Sequence, residues 1–284
     1  MRKIFTFLLL ISFVTISFAQ EEKAPEVPKG PWKPSGTLGI NLSQISFTNW
    51  SKGGDNSLSW NNLLNMGLKY KQEDWTWVNG LKLAYGRMKV GERGYRTTDN
   101  DLYFESVLSK NIGWAVDPYV ALTVRTVVAN GFNYTDSTES QISAFFDPGY
   151  LTEAVGFTYN RSENFTSRLG IAIEQTLTDK YRQYSDDPDT PNEIEKFKME
   201  TGIESVTEAK YTLDDNLLLT TKLRLFSAFD NLDVWDVIFD NTITAKINSY
   251  LNVNLNVLMV YDADETLKTQ LKQALQIGVT FNLF

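Results

Sequence analysis

The chain contains no histidine and no cysteine among its 284 residues. Without imidazole, neither the Ser–His arrangement of outer-membrane phospholipases and lipid A deacylases nor the Asp–His arrangement of omptin-type proteases can be built. Nitrogen and thiolate metal sites are excluded on the same grounds, as are disulfides and a lipoprotein anchor. Basic charge is also short: Lys+Arg 27 against Asp+Glu 35 leaves a formal net charge of −8. Such a chain offers no basic face to nucleic acid. Long apolar runs are missing beyond the N-terminus, so no segment after residue 19 matches the ~20 residues of a transmembrane helix. What is present is an aromatic share of 13%, with Tyr 13 and Trp 7, at a mean hydropathy of −0.27. That combination suits many half-buried strands, because only every second residue of a membrane strand meets lipid.

The first residues read as an export signal. Met1, Arg2 and Lys3 precede an apolar stretch from Ile4 to Phe18, with small residues at Ser17 and Ala19. A basic start, a short apolar core and small residues at the cleavage site define a secretory signal peptide, cut here after Ala19. Residues 20–34 follow as a periplasmic tether, carrying Pro25, Pro28, Pro31 and Pro34 among charges. Proline at that spacing resists ladder formation and leaves the chain extended. The remaining span, 35–284, carries the strand pattern.

Leu58, Trp60, Asn62, Leu64, Met66, Leu68 and Tyr70 alternate with Ser59, Asn61, Leu63, Asn65, Gly67 and Lys69, one face apolar and the other mostly small or polar. Trp75, Trp77, Asn79, Leu81, Leu83 and Tyr85 do the same against Gly80, Lys82, Ala84 and Gly86 after a tight turn at Glu73. Period two with unlike faces predicts strands, and these run longer than sandwich strands usually do. The pattern recurs to Leu275, Ile277, Val279, Phe281 and Leu283. In the segment from Leu151 to Tyr159, Glu153 falls on the apolar face. At the terminus Phe284 falls on the face opposite Phe281.

Connections near Glu73, Gly113, Ser162, Asp214 and Ser249 are brief. Those near Asn49–Asn56, Val90–Asn100, Asn130–Asp147, Asp179–Glu195 and Asp262–Lys268 are mostly longer and polar, with Phe229–Asp233 a short member of that set. Short turns on one side and longer loops on the other predict an up-and-down antiparallel transmembrane β-barrel of about twelve strands.

The loop Phe47-Thr48-Asn49-Trp50-Ser51-Lys52-Gly53-Gly54-Asp55-Asn56-Ser57, and the later Phe145-Phe146-Asp147-Pro148-Gly149-Tyr150, carry a family resemblance. The chain resembles outer-membrane proteins of the Bacteroidetes grouped as the domain-of-unknown-function 3078 family. The resemblance implies a barrel and an outer-membrane location, and it brings no catalytic residues. From its residues alone, the first loop reads as a glycine turn in which Gly53 and Gly54 supply positive φ.

Charges collect on the face expected to line the lumen: Lys82, Glu105, Arg125, Arg168, Glu174, Glu204, Lys222, Arg224, Asp236 and Asp240, with Lys69, Glu200, Glu208 and Lys246 in the same phase. Lys82, Glu105 and Arg125 alternate in sign on three successive strands, which predicts pairing across neighbouring strands. A mixed wall of this kind fits a self-neutralising, filled interior, or alternatively a pore for small polar solutes. The acidic run Asp186–Glu193 lacks the spacing and glycine of an EF-hand and reads as a solvated outer loop. The expectation is a non-enzymatic, largely closed barrel of structural or accessory role, without cofactor. Its partners are the lipid bilayer, lipopolysaccharide, the outer-membrane assembly machinery during biogenesis and an envelope protein complex.

Overall fold

A computed structural model describes residues 30–48, 54–135, 138–186, 190, 193–263 and 266–284. The expected signal peptide, the tether up to residue 29 and much of the acidic loop lie outside the described residues. Strands β1 (Trp32–Ile45), β2 (Ser57–Gln72), β3 (Trp75–Val90), β4 (Arg96–Lys110) and β5 (Asp117–Thr126) come first. A small hairpin, β6 (Gly131–Tyr134) and β7 (Glu139–Ser143), interrupts the series. Then follow β8 (Gly149–Tyr159), β9 (Phe165–Leu177), β10 (Phe197–Asp214), β11 (Leu217–Ala228), β12 (Asp236–Lys246), β13 (Leu251–Asp262) and β14 (Thr266–Asn282). Twelve of these close in the order β1-β14-β13-β12-β11-β10-β9-β8-β5-β4-β3-β2, antiparallel throughout, and β6–β7 stands apart. Closure leaves no unpaired sheet edge, which a bilayer interior would not tolerate.

The alternation read from the sequence sets the two faces. Leu38, Leu64, Leu83, Leu102 and Thr126 form one outward row, each the ladder partner of the next. Ile40, Leu42, Val155, Leu169, Ile171, Leu275 and Ile277 are exposed on the same outer surface. An apolar belt this continuous is far larger than the patches a water-soluble monomer shows. Rings flank it. Trp32 lies 4.8 Å from Tyr70 and 5.8 Å from Trp77, and Tyr159 and Phe165 are 6.1 Å apart, all toward the end of the barrel where both termini lie. Toward the other end Trp60 meets Tyr85 edge-on at 5.8 Å.

The connections at the terminus end cover residues 73–74, 111–116, 160–164, 215–216 and 247–250. Those at the opposite, loop end cover 46–56, 91–95, 127–148, 178–196, 229–235 and 263–265. The 91–95 connection is shorter than expected, because β4 starts at Arg96. A register slip between Gly86 and Arg87 lets the β3–β4 ladder continue to Met88 and Arg96. Strand β1 likewise begins at Trp32, ahead of the Ser35 start expected from the prolines. Pro34 is accommodated because β14 pairs only with Thr37–Asn41 of β1, so this stretch is laddered on one side alone. Past Asn282 the chain leaves the strand, and the Phe284 ring sits 3.0 Å from where a Cβ on Gly36 would stand, on the outward phase of β1.

Both segments that carried the resemblance sit at the loop end. Gly54 adopts φ +120 with the Phe47 ring against it, and the Phe47 amide donates to Asn56 Oδ1 at 2.7 Å; residues 49–53 lie outside the described residues. Asp147 accepts the backbone amides of Asp179 and Lys180, each at 2.9 Å, while the Phe146 amide donates to Thr126 Oγ1 at 2.9 Å. The segment thereby ties the end of β5 and the start of β8 to the connection after β9.

Glu153 stands exposed on the outward phase, opposite Leu122 on one side and Ile173 on the other, with Leu151 and Val155 above and below it. A carboxylate in a hydrocarbon-facing belt is costly. Replacing it with leucine is expected to stabilise the barrel by about 1–2 kcal/mol in lipid vesicles, read as a higher urea midpoint. An unchanged or lower midpoint would mean that Glu153 does not meet lipid.

Candidate functional site: a lumen crossed by ion pairs

The inward phase of the strands collects the charges. Lys82 on β3, Glu105 on β4, Arg125 on β5, Arg168 and Glu174 on β9, Glu204 on β10, Lys222 and Arg224 on β11, and Asp236 and Asp240 on β12 all fall on it. Lys222 extends from β11 to the far wall. Its Nζ donates to Tyr103 Oη at 2.8 Å and approaches Glu105 Oε1 at 3.3 Å, both on β4. Strands β5, β8, β9 and β10 lie between those two walls on the shorter way round. The same ammonium meets its ladder partner Glu208 at 2.8 Å. Lys82 makes a second crossing, from β3 to Asp240 on β12 at 3.2 Å, and Asn256 donates to the other oxygen of Asp240 at 2.6 Å.

Glu105 is shared, since Arg168 Nη2 also reaches it at 2.5 Å. Arg224 bonds Glu204 through Nε at 2.8 Å and Glu174 through Nη2, and Thr152 donates to Glu174 at 3.1 Å. Lys272 on β14 reaches Asp99 on β4 at 2.8 Å, and Asn61 donates to the second oxygen of Asp99 at 2.9 Å. Glu204 is only 2% exposed, so its charge depends on Arg224 for neutralisation. An apolar cluster of Tyr119, Ala154, Ala172 and Phe226 packs beside these pairs on the β5 to β11 wall. The Tyr119 hydroxyl stands 2.7 Å from where a Cβ on Gly170 would be, so the ring occupies the space that side chains on β8 and β9 would otherwise take.

Pairing along neighbouring strands, expected for Lys82, Glu105 and Arg125, is not what forms. In register Tyr103, and not Glu105, lies between Lys82 and Arg125. The Arg125 guanidinium instead lies 4.4 Å from the Tyr150 ring centroid, a cation–π contact. Glu105 faces Gly80 and Thr123 and turns to Arg168 and Lys222. Adjacent-strand pairing does occur between Glu208 and Lys222. Asp236 lines a small cavity toward the loop end with Tyr150, Glu174, Lys198 and Glu200. Asp99, Tyr103 and Lys272 were missed, although each continues an inward alternation, Asp99 and Tyr103 with Glu105 and Lys272 with Gln276. Among the described residues no group of three His, Cys, Asp or Glu side chains is placed to hold a metal ion.

Residues 42–132 match the model of a family described as a protein of unknown function, DUF3078. No curated protein sequence matches the chain. Among solved structures, the NanC porin aligns over 88% of this chain and 100% of its own at 10% identity, with a TM-score of 0.41. An outer-membrane channel from Pseudomonas putida F1 aligns over 92% and 99% at 11% identity and a TM-score of 0.39. The translocator domain of the autotransporter NalP from Neisseria meningitidis aligns over 97% and 95% at 8% identity and a TM-score of 0.36. These are general resemblances in shape, and none of those proteins' activities is transferred to this chain.

Removing one member of a buried pair strands the other. Arg224→Met leaves Glu174 and Glu204 without their cation and is expected to cost about 3–5 kcal/mol. The readout is the urea midpoint for unfolding from lipid vesicles. A midpoint equal to that of the parent chain would show that these carboxylates do not depend on Arg224.

Proposed function

We propose that the protein is an integral outer-membrane β-barrel without a through-going aqueous channel, with a structural or accessory role in the cell envelope. The observation that carries this reading is the pair of crossings at mid-barrel, Lys222 to Tyr103 and Glu105, and Lys82 to Asp240. The apolar belt with flanking rings supports insertion in a bilayer. An even number of strands with both termini at the short-turn end fits a periplasmic position for that end, and the signal-like first nineteen residues fit export. The reading involves no catalytic step, and the absence of histidine and cysteine from the chain accords with it. Lipopolysaccharide around the loop end, the assembly machinery during biogenesis and an envelope complex are the partners it implies.

A second reading, a passive channel for small polar solutes, is favoured by one feature. Inward residues near the periplasmic end, such as Ser35 and Asn65, are exposed. The paired, mixed charges of the wall would give such a channel little preference between cations and anions. Planar-bilayer recording separates the two. The purified chain is expected to pass no steady current, whereas the Lys82→Gln, Lys222→Gln double variant, lacking both crossings, is expected to show flickering openings. Steady single-channel current from the unmodified protein would overturn the closed-barrel reading.

A further inference from the structure

The inward face of β1 and β2 carries an arrangement that the pairing scheme above does not absorb. Lys33 and Lys69 are direct ladder partners in the inward phase, and Lys71 follows two residues later on the same face. Like charges placed directly opposite each other disfavour strand pairing. All three side chains are exposed. Among the described residues none of the three makes an ion pair, in contrast to Lys82 and Lys222 further up the lumen. Across the lumen on β10, the inward Glu208 is taken by Lys222.

There is room beside them. A Cβ added to Gly80 would meet nothing within 4 Å, and Gly80 is the ladder partner of Gly67, which in turn faces Ser35. Ser35 and Asn65 are exposed, although Asn41 and Asn61, on the inward phase nearer the loop end of the same two strands, are 6% and 5% exposed. The terminus end of the lumen is therefore open to solvent along β1 and β2, and on the closed-barrel reading the crossings stop it at mid-barrel. Lys246 on β12 and Lys210 on β10 add two exposed cations on the inward phase near the same mouth.

We propose that this blind cup is a binding site for a small multivalent anion, with Lys33, Lys69 and Lys71 as its principal ligands. Phosphate groups and clustered carboxylates share the needed chemistry, because ammonium groups on flexible stems pair with either as point charges. The anion would relieve the opposed lysines and would enter from the short-turn end. The proposal rests on the outer-membrane reading only for naming that side the periplasm.

The test is isothermal titration calorimetry of the full chain, folded in detergent at low salt, with inorganic pyrophosphate in one arm and citrate in the other. Saturable binding near one equivalent is expected, weakened by about tenfold or more in the Lys33→Gln, Lys69→Gln variant, a loss of at least ~1.4 kcal/mol. Lys71→Gln alone should weaken it less, and added salt should weaken it in all forms. Binding in one arm only identifies the anion as phosphate or as polycarboxylate. Lys89→Gln, which removes a cation from the outward phase near the opposite end, should leave binding unchanged. The absence of saturable binding in both arms, or equal binding by the parent chain and the double variant, would overturn the proposal. So would an equal loss in Lys89→Gln. An open channel would show itself in bilayer current whatever the calorimetry gives, so failure of the cup and failure of the closed barrel are separately visible.

Discussion

A charge placed on a barrel strand has two directions in which to point, and hydrocarbon forbids one of them. Most strand charges of this chain are accordingly turned inward, and at mid-barrel Lys82, Glu105, Arg168, Lys222 and Arg224 each find an opposite charge within the reach of a side chain. That constraint organises the lumen. Lysine stems are long enough to cross from β11 to β4 and from β3 to β12, so the walls are tied by side chains as well as by the ladder. Once Glu105 serves both Arg168 and Lys222, the polar pairs are joined into a network whose members depend on one another.

The network divides the lumen unequally. On the β5 to β11 wall, Phe226 and the Arg224 pairs, together with Tyr119 from the terminus-end part of β5, fill the space. Toward the terminus end, on the β1 to β3 wall, Gly67 and Gly80 remove side-chain volume, and lysines without carboxylate partners line the opening. Outward Arg87, Lys89 and Lys110 lie near strand ends, whereas Glu153 is an outward carboxylate set among Leu122, Leu151, Val155 and Ile173.

Much of this was legible in the sequence, because strand alternation has an invariant period. Residues two apart share a face, so the assignment of Lys82, Glu105 or Asp240 to the inward phase needed no structure. Partners were another matter. Which charge meets which depends on the stagger between strands, and one step of stagger put Tyr103 where Glu105 was expected. Contacts across the lumen depend in addition on barrel closure, which no local pattern encodes. Element ends failed for related reasons. The slip at Gly86 lengthened the β3–β4 ladder, and the one-sided pairing of β1 admitted Pro34 into a strand.

If the crossings stop the lumen at mid-barrel, a residue below them is reachable from the terminus side alone, which side-specific thiol labelling can detect. The natural chain has no cysteine, so a single Ser35→Cys substitution on the terminus side of the crossings reports without background. In intact cells a charged, membrane-impermeant thiol reagent should leave this cysteine unmodified, and it should react fully once the periplasm is opened. Modification in intact cells at the rate seen after opening would mean that reagent passes the crossings and that the lumen is not stopped there.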